Sequence, residues 1–205
     1  TPIRFVISSD TSGIPEIVEV KATNFKGSVA FKKTDEQNNA LSGVEFELYY
    51  ENQSDPYIVV VTDENGLVRV DQLAPGTYQF RESKAQFGYI LNTSTINFVV
   101  PEKTQQESVF IELDNFINYQ GGVNVRKVDE EGNLLKEAIF DLRDNNGNTL
   151  ISKATENGEV SFDELAPGQY TLVETSAPKG YVLEEKETTF EIYEEFEGEY
   201  TFSTI

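Results

Sequence analysis

Apolar and polar residues alternate along most of this chain with a period of two, the signature of half-buried strands. Short alternating runs, VEFELYY, YIVVVT, GLVRV, TYQF, TINFVV and SVFIEL, are separated by turn signals such as Glu64-Asn65-Gly66 and Glu156-Asn157-Gly158. No segment carries a convincing helical period. Ala74-Pro75-Gly76 and Ala166-Pro167-Gly168 read as tight turns, with proline presetting φ and glycine permitting a positive one. The pattern predicts an all-β chain.

The pattern also repeats. GSVAFKKTD followed by LAPGTYQFRESKAQFGY returns as GGVNVRKVD followed by LAPGQYTLVETSAPKGY, with Leu73 matching Leu165, Glu82 matching Glu174 and Tyr89 matching Tyr181. Two domains of about ninety residues follow, each large enough to bury a core. The expected divisions are 1–24 as terminal strands of a preceding domain or a donor segment, 25–118 as domain one and 119–205 as domain two. The join near Phe116 to Gly122 is too short for a floppy linker.

Counting faces along these strands exposes an anomaly. Val29, Phe31 and Lys33 share a face, as do Val123, Val125 and Lys127. Tyr78, Phe80 and Glu82 share another, as do Tyr170, Leu172 and Glu174, and Val109, Ile111, Leu113 and Asn115 a third. A lysine, a glutamate and an asparagine are thus expected inside the apolar core, where a charged pair costs several kcal/mol unless its geometry is very good. Burial makes lysine a neutral nucleophile and keeps a glutamate protonated. Lys33 could then attack the side-chain carbonyl of Asn115, with Glu82 polarising that carbonyl and shuttling protons as ammonia leaves. A buried ion pair without a covalent bond is the plainer alternative. Asp114 is the competing acceptor, but its parity puts it outside with Glu112. Lys26, Lys32 and Arg126 read as surface charges.

The combination K-x-D, L-x-P-G-x-Y and E-T-x-A-P-x-G-Y resembles the B-type repeat of collagen-adhesin-like surface proteins, the CnaB type, found also in SpaA-type pilins of Gram-positive bacteria. The likeness covers roughly residues 25 to 205. It implies immunoglobulin-like β-sandwiches stapled by intramolecular isopeptide bonds. The crosslinking lysines it selects are Lys33 and Lys127, and the catalytic acids are Glu82 and Glu174. The first copy departs from the pattern, with Gln86 where proline is expected, and rests on Glu82, Ala85, Gly88 and Tyr89.

Composition narrows the function. The chain of 205 residues has no cysteine and no histidine, which removes disulfide staples, His-based triads and the usual zinc sites. A net charge of -20 opposes nucleic-acid binding and suits an extended surface protein. No apolar run approaches a membrane span. Neither a cofactor nor a metal is expected: Asp144-Asn145-Asn146-Gly147-Asn148 puts its glycine too early for an EF-hand and reads as a hairpin turn. The acidic run from Glu184 to Glu199 reads as a solvated face.

The ends add one question. Residues 1–24 read as two strands, PIRFVI and EIVEVKATN, whose last inward position is Asn24, an acceptor with no lysine of its own. At the other end Tyr200, Phe202 and Thr204 take the matching face, so domain two's acceptor is expected one step past Ile205. Either the chain is part of a longer array, or the N-terminal strands complete domain two of a neighbour by strand addition, making a covalent head-to-tail filament. The expected function is a structural stalk or pilus shaft module, extracellular and anchored to the cell wall, partnered by neighbouring domains or other subunits and self-crosslinking rather than enzymatic. The alternative is an adhesin that binds host matrix or a glycan.

Overall fold

The computed structural model describes residues 24–102, 108–184, 186–196 and 203–204. The N-terminal strands expected before Asn24, and the face expected for Tyr200 and Phe202, lie outside the described residues. Among the described residues every regular element is a strand. Domain one contains β1 (Gly27–Thr34), β2 (Glu45–Tyr50), β3 (Ile58–Val61), β4 (Leu67–Leu73), β5 (Gly76–Lys84), β6 (Leu91–Asn92), β7 (Thr95–Val100), β8 (Val109–Glu112) and β9 (Phe116–Ile117). Domain two contains β10 (Gly121–Arg126), β11 (Ile139–Asp144), β12 (Thr149–Ala154), β13 (Glu159–Leu165), β14 (Gly168–Ser176), β15 (Glu187–Ile192), β16 (Glu195–Phe196) and β17 (Ser203–Thr204).

Each domain is a β-sandwich. In domain one the order β4-β1-β8, with β9 continuing beside β1, faces the order β3-β2-β5-β7; in domain two β13-β10-β17 faces β12-β11-β14-β15. The two inner faces supply the alternating apolar residues the sequence predicts. In domain one Val29, Phe31, Phe46, Leu48, Phe80 and Phe98 are all buried, and Phe31 meets both Phe46 and Phe80 edge-on with ring centroids 5.0 Å apart. Edge-to-face contacts of this kind add to the area that aromatic rings bury.

The repeated L-A-P-G-x-Y motif has a local explanation. Gly76 takes φ of 149° and Gly168 of 150°, and a Cβ on Gly76 would meet the Tyr50 ring at 2.4 Å. The tyrosine two residues on donates its hydroxyl back to the turn: Tyr78 to the Ala74 carbonyl at 2.9 Å, Tyr170 to the Ala166 carbonyl at 2.8 Å. This bond fixes where β5 and β14 begin, and so which of their residues point inward. Asp144 is spent in the β11–β12 hairpin turn, where its carboxylate accepts from the Asn146 and Asn148 amides and from the Asn148 side chain.

The domains share an element. The short strand β6 of domain one pairs in parallel with β16 of domain two, Leu91 opposite Glu195 and Asn92 opposite Phe196. Ile90, just before β6, is fully buried and packs within domain two's core cluster.

Candidate crosslinking site

Lys33 and Glu82 meet in domain one because each ends the buried row of its strand. Lys33 follows Val29 and Phe31 along β1; Glu82 follows Tyr78 and Phe80 along β5 and sits opposite Phe46 of β2. Both side chains are 0 % exposed, with Nζ 3.8 Å from Oε2. The Phe116 ring lies over the lysine, its centroid 5.1 Å from Nζ, and Phe46 packs edge-on against that ring. The lysine backbone is held from outside the core: its N–H donates to the Gly66 carbonyl at 2.8 Å and its carbonyl accepts from Leu41 at 2.9 Å.

The third member is Asn118, not Asn115. Asn118 is completely buried and donates from Nδ2 to Glu82 Oε1 at 2.5 Å. Asn115 and the competing Asp114 are both exposed. The cause is one additional residue in the chain. Along β8 Glu112 lies beside Ala30, yet along β9 it is Phe116 that lies beside Lys33, so three steps on β1 are matched by four on its partner. A one-residue slip turns every following side chain to the opposite face, expelling Asn115 and bringing in Phe116 and Asn118. A signal was present in the sequence, since Phe116-Ile117-Asn118 resumes the apolar alternation after the Asp114-Asn115 interruption.

Four hydrogen bonds hold the strand that carries Asn118 in place. Lys33 Nζ donates to the Phe116 carbonyl at 3.0 Å. Asn92 Nδ2 donates to the Ile117 carbonyl at 3.0 Å. The Asn118 amide donates to the Thr34 carbonyl at 3.0 Å, and the Ile90 amide to the Tyr119 carbonyl at 2.9 Å. Glu82 Oε2 and Asn118 Oδ1 are buried with no hydrogen-bond partner, and a buried polar atom left unpaired is costly.

Burial dominates the electrostatics. It pulls the Lys33 ammonium well below the ordinary lysine range, with the attraction of Glu82 opposing it less strongly. It pushes the Glu82 carboxyl well above the ordinary range, against the smaller pull of Lys33, the Asn118 amide and the Asn92 backbone N–H. Both shifts lower the cost of reaching the neutral pair, a free amine facing a protonated carboxyl. Such a pair can add the amine to the Asn118 carbonyl carbon while the carboxyl polarises its oxygen.

Domain two reproduces two of the three members. Lys127 Nζ lies 2.9 Å from Glu174 Oε2, with side chains 22 % and 5 % exposed, and Glu174 Oε1 is buried without a partner. The register that sets Val29 beside Ile111 in domain one sets Val123 beside Ser203 in domain two. Among the described residues no asparagine is bonded to Glu174 as Asn118 is to Glu82. Asn24 is exposed.

The aspartate of each K-x-D motif organises the loop after the lysine, a role the sequence reading missed. Asp35 accepts from the Gln37 and Asn39 amides, the Asn39 side chain and the Tyr89 hydroxyl. Asp129 does the same with Glu131, Asn133 and Tyr181. The motif's aspartate and final tyrosine therefore close one another's loops beside the lysine. Among the described residues no group of acidic side chains is placed to hold a metal ion, and no helix is long and apolar enough to cross a membrane.

Comparison with known proteins gives one family. The model of the SpaA prealbumin-like fold domain matches twice in tandem, over residues 27–115 and 121–204. Among solved structures, the TIE protein of Bacillus anthracis is 30% identical over 88% of this chain and 34% of its own, with a TM-score of 0.50. The chain thus spans about a third of that protein. A streptococcal ancillary pilin is 22% identical over 96% of this chain and 66% of its own, with a TM-score of 0.43. The shaft pilin SpaA of Lactobacillus rhamnosus GG is 17% identical over 87% of this chain and 96% of its own, with a TM-score of 0.38. No curated protein matches.

Proposed function

The chain belongs to the SpaA prealbumin-like domain family, and from that premise we propose that it is a stalk or shaft module of a Gram-positive surface pilus or adhesin, stapled by an isopeptide bond that domain one forms on itself. The observation that carries the proposal is the enclosed contact of Lys33 and Asn118 with the same glutamate, Glu82. In the reaction the Lys33 amine attacks Cγ of Asn118, the new C–N bond forms, the Cγ–Nδ2 bond breaks and ammonia departs. Glu82 gives its proton toward the carbonyl oxygen and returns protons from the lysine nitrogen to the leaving group. The site turns over once and is consumed, so its product is mechanical and proteolytic resistance. With no cysteine in the chain, the amide serves where a secreted protein would otherwise use a disulfide.

Stacking of such domains in series is supported by the repeat. Val182, the counterpart of the buried Ile90, is 92 % exposed at the equivalent end of domain two, available to a further domain as Ile90 is to domain two. Lys127 and Glu174 would then take an acceptor asparagine from a following strand, or, in a head-to-tail filament, Asn24 of another chain. The intact mass tests the central proposal: wild type is one ammonia lighter than its sequence, and Glu82→Ala is not. An unreduced wild-type mass would refute it.

One observation favours a second reading, in which the surface binds a matrix polypeptide. Strand β3 lies at the edge of its sheet, and Tyr57, Ile58, Val59 and Val61 on and beside it are exposed. An open apolar edge can accept an added strand.

A further inference from the structure

Residues Ile90–Thr93 belong to domain one by sequence, yet they serve two structures at once. On one side they hold domain two. Ile90 fills its core, the Leu91 amide donates to the Glu194 carbonyl at 2.9 Å, and the Thr93 amide and hydroxyl both donate to the Phe196 carbonyl at 2.9 Å. Beside this contact Tyr119 and Phe196 meet edge-on at 5.2 Å. On the other side the segment builds the crosslinking site. Asn92 Nδ2 holds the Ile117 carbonyl next to Asn118, and the Ile90 amide holds the Tyr119 carbonyl just after it. Asn92 is itself pinned, its Oδ1 accepting from the Ser94 amide at 2.9 Å.

Domain two displays a site without such a segment. Its matching residues Val182, Leu183 and Glu184 are exposed, and Lys127 keeps 22 % side-chain exposure where Lys33 has none. A four-residue segment without a hydrophobic anchor, held by a few hydrogen bonds alone, opens readily. Ile90 supplies the anchor, and it is buried by the neighbouring domain.

We propose that docking of domain two onto Ile90–Thr93 positions the acceptor strand of domain one, so that the Lys33–Asn118 bond forms after the second domain has docked, with Asn92 as the positioning residue that links the two events. The inference rests on the crosslink reading above and adds an order to it: a growing array would be stapled behind each newly docked domain. Reactions of this kind are sensitive to small displacements of the reacting atoms, because orientation carries much of the rate.

The test follows ammonia loss with time by intact mass, on full-length chains made by cell-free translation. Wild type and Ile90→Val, which keeps an apolar anchor, are expected to react at the same rate. Ile90→Asp, which expels the anchor, and Asn92→Ala, which leaves domain two's core untouched, are each expected to react at least tenfold more slowly. A calorimetric transition for domain one in both slow variants shows that the site has folded. Ile90→Asp reacting at the wild-type rate would overturn the coupling, and Asn92→Ala doing so would overturn the route through Asn92. A wild type that never loses ammonia would instead defeat the crosslink reading itself, an outcome distinct from both.

Discussion

Replacing Asn118 with alanine removes the acceptor while leaving Lys33, Glu82 and the whole apolar core in place. The crosslink it abolishes would close a loop of about 85 residues, and the chain-entropy relation developed for disulfides assigns such a loop about 4.5 kcal/mol of stabilisation. For a domain of about ninety residues each kcal/mol moves the melting point by about 5 °C, so the domain-one transition should fall by about 20 °C. Scanning calorimetry reads this directly, with domain two's transition as the internal reference. Two companions isolate the cause. Asn118→Asp can still condense with Lys33, losing water rather than ammonia, and should recover most of the melting point. Asn115→Ala, at an exposed position, should stay within about 0.5 kcal/mol of wild type. A fall of less than about 5 °C for Asn118→Ala, or an equal fall for Asn115→Ala, would refute the assignment of the staple to Asn118.

Bond formation should have a bell-shaped pH dependence. With Glu82 raised to about 7 and Lys33 lowered to about 8, the reactive proton count is greatest between those values; below them the amine is protonated, above them the carboxyl can no longer donate. Ammonia release from freshly translated chain across pH 5 to 10 would show it, and a rate that climbs steadily to pH 10 would contradict the role of Glu82. Gly66→Ala should destabilise domain one by more than about 1 kcal/mol, since Gly66 has φ of 69° and an added Cβ would meet the Lys33 carbonyl oxygen at 2.4 Å. Denaturant unfolding of that variant measures the loss, and an unchanged midpoint would show that the turn does not hold the lysine backbone.

The tandem repeat and the faces of the longer strands were legible in the sequence, because a sheet with one side buried leaves a period of two little freedom. That legibility reached Lys33 and Glu82, which continue unbroken apolar rows on β1 and β5. It stopped at Asn115. Counting faces assumes a constant register, and the additional residue between Glu112 and Phe116 is visible only once β8 and β9 are seen beside β1. Ile90 and Asn92 were illegible for another reason. Nothing in a single repeat says that an apolar residue is buried by the next domain rather than by its own, and Ile90 is. Asp35 and Tyr89 stood out as motif residues, but their bond to one another spans 54 positions and local reading could not supply it.

The central claim is a covalent bond between two named side chains, and tandem mass spectrometry of a protease digest of the wild-type chain addresses it most directly. The account predicts a branched peptide in which the segment carrying Lys33 is joined to the segment carrying Asn118, one ammonia lighter than the sum of the two, with fragment ions placing the branch on Asn118 rather than on Asn115. Recovery of the two segments as separate, unmodified peptides, or a branch placed on Asn115, would contradict it.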